Sequence, residues 1–166
     1  METKRLTLKA PSLDDLDNLT LLRTTPEVMR YVGDGKIQTK EKIKELLKIN
    51  IAYYQKHGIG LLCVFEKKDG EFVGLAGLLH DDFDDSKQDI ELGYGLLPQF
   101  WNKGYATELV KALVVYGFST LTLDKLIAVT HPDNVASQKV LKKSGFIDVG
   151  QMSWCSIESA LGFEVY

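Results

Sequence analysis

The sequence predicts an α/β fold: a mixed, mostly antiparallel sheet of six or seven strands flanked by helices, with a parallel pair at its centre. Three observations carry this. Segments of strand length and strand pattern occur at 5–9, 60–66, 71–79, 89–97, 125–130, 146–151 and 160–166. Apolar residues at helical spacing occupy the intervals between several of them. Finally, strand 89–97, a small-residue turn, a helix and strand 125–130 follow in that order, and a right-handed crossover would make the two strands parallel.

From the N-terminus, Arg5 to Lys9 alternates and reads as an edge or near-edge strand ended by Pro11. Ser12 with Asp15 three residues on starts a helix whose inner face is Leu13, Leu16, Leu19 and Leu22. Thr25-Pro26-Glu27 opens a short turn or helix, and Gly33 to Gly35 is a loop. A longer helix runs from Thr39 towards Lys56, with Ile43, Leu46, Leu47, Ile49 or Asn50, and Tyr53 or Tyr54 inward; His57-Gly58 ends it. Strands 60–66 and 71–79 are joined by Lys67 to Gly70, whose Asp-Gly pair signals a hairpin.

In the central strand Ile90, Leu92, Tyr94 and Leu96 share one face, so Glu91 points the other way. Gly93 and Gly95 inside it predict a bulge, or a place where a backbone or ligand comes close. After Pro98 a loop through Asn102-Lys103-Gly104 leads into a helix carrying Ala106, Leu109, Val110, Leu113 and Gly117. The first N–H groups of such a helix lack internal partners and attract phosphates. Small residues at Gly104 and Ala106 would let a phosphate reach the backbone, and Lys103 could add charge. A dinucleotide fold needs its glycines directly after the strand, whereas Gly93 and Gly95 lie inside it, ahead of a proline. Beyond strand 125–130, a helix spans Val135 to Ser144 with Asp133 or Asn134 as N-cap and Ala136, Val140 and Leu141 inward. Gly145 closes it, and the last two strands form an antiparallel pair.

Residues 1–166 read as one domain with an ordinary soluble composition, 45% hydrophobic and 26% charged. A net charge of −3 argues against nucleic-acid binding by bulk attraction. No apolar run approaches a membrane span and no signal-peptide core opens the chain, so no membrane partner and a cytoplasmic location are expected. Cys63 and Cys155 read as free thiols, Cys63 as a small core hydrophobe. His57, His80 and His131 show no metal or triad spacing and are expected in loops or at the surface; no metal site is predicted. Trp101, Tyr94 and Phe100 could line a substrate pocket, or pack in the core. His80 to Asp85 is either a solvated loop or an acidic rim that collects cationic amines.

The loop Trp101-Asn102-Lys103-Gly104-Tyr105-Ala106 resembles that of the GNAT superfamily of acetyl-coenzyme A dependent N-acetyltransferases. There the pattern Arg/Gln-x-x-Gly-x-Gly/Ala receives the coenzyme pyrophosphate. Gly104 and Ala106 fit, while Trp101 replaces the usual Arg or Gln and Asn102 a frequent Gly. Asn134-Val-Ala-Ser137, followed by Gly145-Phe146, resembles the second motif of the same family. Arg5-Leu-Thr-Leu8 and Thr25 to Tyr31 resemble the ribosomal-protein N-terminal (RimJ/RimL-like) subgroup.

The resemblance implies a cofactor, acetyl-coenzyme A, held between the two parallel strands by Gly95, Leu96, Trp101, Asn102, Lys103, Gly104, Tyr105, Ala106, Thr107, Asn134 and Ser137. It implies transfer of an acetyl group to a primary amine, a protein N-terminus or a small amine, directly within a ternary complex. Such an amine has a pKa near ~10 and must lose a proton; Glu91 is the candidate base, direct or through water, with a solvent-facing or ion-paired strand residue as the plain alternative. Backbone N–H groups near Gly95 and Leu96 would polarise the carbonyl. Many family members carry a tyrosine as acid for the thiolate where this chain has Leu141, which leaves Ser137 as a possible proton donor or relay. A polyamine or aminoglycoside acetyltransferase, and a non-catalytic acyl-coenzyme A binding module, are the competing readings. The acceptor and the oligomeric state, a homodimer included, are open at this level.

Overall fold

The computed structural model describes residues 1–80, 83–154 and 157–166. Seven strands form one sheet in the order β1-β2-β3-β4-β5-β7-β6. They are β1 (Leu6–Lys9), β2 (Gly60–Glu66), β3 (Phe72–His80), β4 (Ile90–Leu96), β5 (Leu126–Thr130), β6 (Ile147–Trp154) and β7 (Ile157–Val165). All neighbours are antiparallel except β4 and β5, the predicted parallel pair. β1 lies at an edge, as its alternation suggests. β6 and β7 run longer than their sequence pattern, because their half-exposed positions break the apolar alternation.

Helices α1 (Leu16–Thr24) and α3 (Lys40–His57) pack together over β2 and β3; α4 (Tyr105–Ser119) and α5 (Val135–Lys143) pack together on β3, β4 and β5. The short α2 (Pro26–Met29) buries Met29. Ser12 is extended and donates its N–H to the Asp15 carboxylate at 2.9 Å, but Leu13 to Asp15 is a 3-10 turn. That change of pitch turns Leu13 outward, at 55% exposure, while Leu19 and Leu22 stay in the core. In α3 the inward choices are Asn50 and Tyr53 rather than Ile49 and Tyr54. Asn50 is buried because its amide satisfies both backbone groups of Leu61, donating at 2.7 Å and accepting at 3.0 Å. In α5, Ala136 is exposed, and Ser137, Gln138 and Leu141 turn inward.

β3 and β4 pair without interruption from Gly74↔Leu96 to His80↔Ile90. The predicted bulge at Gly93 and Gly95 is absent. Close backbone approach occurs instead in β3: a Cβ on Gly74 would lie 2.1 Å from the Gly95 carbonyl oxygen, and one on Gly77 1.9 Å from that of Gly60. On its other side β4 meets β5 at the single register pair Glu91↔Ile127 among the described residues. The sheet is therefore joined at the head of the parallel pair and unladdered beyond it.

Candidate active site

Glu91 sits at that head, half-buried, flanked on the same face by Leu79 of β3 and Ile127 of β5. A cleft of about 640 Å³ opens beside it, lined by Lys87, Gln88, Asp89, Ile127, Met152 and Trp154. Two further same-face positions of β4 are Gly93 and Gly95. A Cβ on Gly95 would meet nothing within 4 Å, so open space lies over the strand where the ladder to β5 has ended.

The opposite face of β4 is closed by α4 and α5. Tyr94 reaches α5, and its hydroxyl lies 2.8 Å from Ser137 Oγ. Burial pushes the Tyr94 phenol up to about 12, only partly opposed by the Ser137 hydrogen bond, so at neutral pH it holds its proton. Ser137 is fixed in the first turn of α5, its N–H donating to Asn134 Oδ1 at 3.1 Å. This settles the N-cap on Asn134 and leaves its side-chain NH₂ for other partners. Leu141, where a tyrosine would stand, is 1% exposed in the core. The hydroxyls near this point come from Ser137 and from Tyr94, whose role the sequence left undecided between pocket and core. Alternation placed Tyr94 on the Leu92 face, and only the docking of α5 brings it to Ser137.

Past β4 the chain makes a 3-10 turn at Pro98–Phe100 and enters α4 through two left-handed residues, Asn102 (φ 59°) and Gly104 (φ 79°). No side chain caps α4, so the N–H groups of Tyr105, Ala106 and Thr107 have no intrahelical partner. That is an anion cradle built from backbone. The side chains around it brace the loop. Trp101 is 42% exposed, and its indole N–H donates to the Leu96 carbonyl at 2.7 Å. The Tyr105 ring is buried, with its hydroxyl bonded to Glu66; only its backbone can face a ligand. Phe100 is core rather than pocket wall.

The residue that holds this loop is one for which sequence assigned no role in the site. Arg5 donates from Nη1 to the Lys103 carbonyl at 2.8 Å and from Nε to Glu108 at 2.7 Å, with its guanidinium 4.2 Å from the centre of the Tyr105 ring. Glu108 also accepts from the Thr3 hydroxyl and the Arg5 N–H. Burial raises the Glu108 carboxyl, but those hydrogen bonds and the Arg5 charge outweigh it and hold it below the ordinary range. No local pattern links residues a hundred positions apart, so only the fold reveals this clamp.

Two other expectations change. His57 and His80 are not isolated: α3 lies over β3, so their rings approach to 5.8 Å, each beside Tyr53. The Tyr53 hydroxyl accepts the His80 backbone N–H at 2.9 Å. Of the acidic loop, Asp81 and Asp82 lie outside the described residues, as does Cys155. Asp85 is engaged by Lys56 and by His57 (3.1 Å), so its charge is met within the protein. Cys63 is fully buried, and burial pushes its thiol up to about 12, as befits an inert core thiol.

The model of the family described as "Acetyltransferase (GNAT) domain" matches residues 5–147. The chain belongs to the GNAT acetyltransferases. Within that family it is 31% identical over 147 residues to the uncharacterized N-acetyltransferase YoaA of Bacillus subtilis, covering 88% of this chain and 81% of the relative. Spermidine N(1)-acetyltransferase of Escherichia coli is 24% identical over 139 residues, 84% of this chain and 71% of that protein. Among solved structures, RimL, the ribosomal L7/L12 alpha-N-protein acetyltransferase in complex with coenzyme A, superimposes with a TM-score of 0.82 at 16% identity, over 98% of this chain and 94% of that one. This GNAT chain therefore has the family's fold, with a seven-stranded sheet and a single parallel pair. No helix among the described residues is long and apolar enough to cross a membrane.

Proposed function

We propose that this chain is an acetyl-coenzyme A dependent N-acetyltransferase that delivers the acetyl group to a primary amine, a protein N-terminus or a small amine, by direct transfer in a ternary complex. The observation that carries this reading is the gap between β4 and β5 beyond Glu91↔Ile127, with a carboxylate at its head and uncapped helix N–H groups at its far end. The residues suit the coenzyme. Backbone N–H groups of 105–107 would take the pyrophosphate, with Asn102 and Gly104 supplying the left-handed turn and Lys103 charge. The space over Gly95 and Leu96 would admit the pantetheine, and the NH₂ of Asn134 could bond its amides.

When bound, the thioester supplies an activated acyl carbon and a thiol leaving group. Glu91 takes a proton from the ammonium so that the nitrogen lone pair can form the C–N bond. As the C–S bond breaks, the Ser137 hydroxyl stands at the start of α5 to donate a hydrogen bond or a proton to sulfur. Tyr94 holds that hydroxyl in place and can resupply the proton. The base is thus on one face of β4 and the donor pair on the other.

Initial-rate thiol release, with acetyl-coenzyme A and a panel of amines and N-terminal peptides varied together, tests the proposal. Direct transfer predicts release only with amine present and double-reciprocal lines that intersect. Parallel lines would mean a covalent acyl-enzyme, and amine-independent release would mean a thioesterase; either overturns the reading.

A further inference from the structure

Between α1, α3 and the sheet lies a second, smaller cavity of about 50 Å³. Its walls include Leu61, Leu75 and Phe83, and it carries Arg23 of α1 and Gln38 of the segment before α3. The sheet register locates it. Leu61, Gly77 and Gly93 form one row across three strands, and Cys63, Leu75 and Gly95 the next. The cavity floor is therefore continuous with the Glu91-Gly93-Gly95 face of β4, the same face that carries the candidate base. Neighbouring strands are about 4.8 Å apart and same-face residues about 6.8 Å, so Leu61 and Leu75 stand within roughly 12 Å of Gly93 and Gly95.

Of the three polar side chains that line this cavity, Asn50 is satisfied by Leu61, whereas the Arg23 guanidinium and Gln38 Oε1 have no partner among the described residues. Among the described residues no carboxylate or carbonyl accepts from the Arg23 guanidinium. Burial pushes it below its ordinary value, yet the residue is only half-buried and an arginine remains protonated in a protein, so the cation faces solvent rather than a protein partner. Gln38 Oε1 is fully buried and accepts no hydrogen bond. The two residues are tied at the backbone, where the Gln38 N–H donates to the Arg23 carbonyl at 3.2 Å. An unpaired buried oxygen such as Gln38 Oε1 is costly unless a ligand completes it.

We propose that this cavity is the acceptor's specificity pocket, and that Arg23 pairs there with a carboxylate while Gln38 receives a neighbouring N–H, making the substrate a carboxylate-bearing amine of the amino-acid class. The inference rests on the N-acetyltransferase reading and narrows its acceptor. The size fits: about 50 Å³ holds a group of roughly two water volumes, the scale of a carboxylate. The charge fits as well, because a planar guanidinium takes a carboxylate through two parallel hydrogen bonds. A polyamine would instead bring a second ammonium towards Arg23.

The test uses the full chain and matched probes: α- and ω-amino acids of increasing length, their amides, alkyl amines of the same length, and spermidine. Two readouts are taken, amine-dependent thiol release and binding by calorimetry in the presence of coenzyme A. The proposal predicts that amino acids are preferred over their amides at least tenfold in kcat/KM and in affinity, and that Arg23→Gln collapses that ratio towards one. Arg23→Gln should fold with a nearly unchanged Tm, because it breaks no side-chain hydrogen bond or ion pair among the described residues. Gln38→Leu, of similar volume, should lower the same ratio to a smaller degree. Equal use of amides and acids, a preference for spermidine, or a ratio unmoved by Arg23→Gln overturns the pocket while leaving acetyl transfer standing. Arg23-dependent binding of amino acids without thiol release from any probe supports the pocket and overturns the transfer reading.

Discussion

The two edges of β4 behave as opposites. Towards β3 every residue from Ile90 to Leu96 is paired, and the glycines of β3 stand so close to neighbouring backbone that no side chain fits. Towards β5 there is one pair, followed by open space over Gly95. The same contrast recurs in the polar groups. Around the loop before α4, Arg5, Glu108, Trp101 and Tyr105 all have partners, whereas among the described residues the Arg23 guanidinium and Gln38 Oε1 under α1 and α3 have none. Completed valences mark scaffold, and incomplete ones mark places where a ligand is needed.

Glycine substitutions should separate the two edges most sharply. Gly95→Val places its side chain in the open gap and should leave Tm unchanged or slightly raised, yet lower kcat/KM for acetyl-coenzyme A about a hundredfold by displacing the pantetheine. Gly74→Ala does the reverse: its Cβ would lie 2.1 Å from a carbonyl oxygen at a φ of +155°, and the overpacking should cost about 3 kcal/mol of stability in a denaturant titration. If Gly95→Val unfolds the protein, or binds coenzyme like the wild type, the gap is structural and not a binding groove.

A smaller effect sharpens the roles of the hydroxyl pair. Ser137→Ala should reduce kcat by about tenfold, less than the usual ~10² to 10⁴-fold for general-acid loss because a thiolate is a tolerable leaving group. Tyr94→Phe should lose only about fivefold, the equivalent of one hydrogen bond of about 1 kcal/mol. Tyr94→Phe added to Ser137→Ala should then cost little more, as expected when the tyrosine acts through the serine. Additive losses in the double variant would assign Tyr94 an independent part.

The brace offers a pH-dependent test. The Glu108 carboxyl is held below its ordinary value, so its contribution to stability is fully present above the unfolded pKa near ~4.3 and disappears as pH falls through the folded value. Glu108→Gln should cost about 1 kcal/mol at pH 7, given that Arg5 is 40% exposed and screened, and the difference from wild type should close below pH 4. A loss that persists in acid would mean packing rather than charge.

Much of this architecture was legible in the residues. Alternation, the Asp69-Gly70 turn and the Gly104 helix start prefigured the strands, the β2-β3 hairpin and the parallel β4-β5 pair, because each is a local property of backbone and solvent exposure. The face of Glu91 and the loop into α4 were legible for the same reason: strand period set the first, and small residues marked the second. What stayed hidden depends on chain-distant docking. Arg5 and Glu108 are ordinary charged residues until β1 lies beside α4. Arg23 and Gln38 carried no assignment in the sequence, and only the packing of α1 and α3 on the sheet brings them to one cavity. Tyr94 was ambiguous because one alternating face contains both core and site.

The most direct test of the account is the turnover of Glu91→Gln, measured as amine-dependent thiol release at saturating acetyl-coenzyme A, alongside its coenzyme affinity. Loss of the base should lower kcat by about 10² to 10⁴-fold, with the affinity for coenzyme A unchanged because the proposed pyrophosphate cradle lies at the far end of the gap. A variant that transfers acetyl groups at the wild-type rate would contradict the claim that the head of the parallel pair is where the proton is taken.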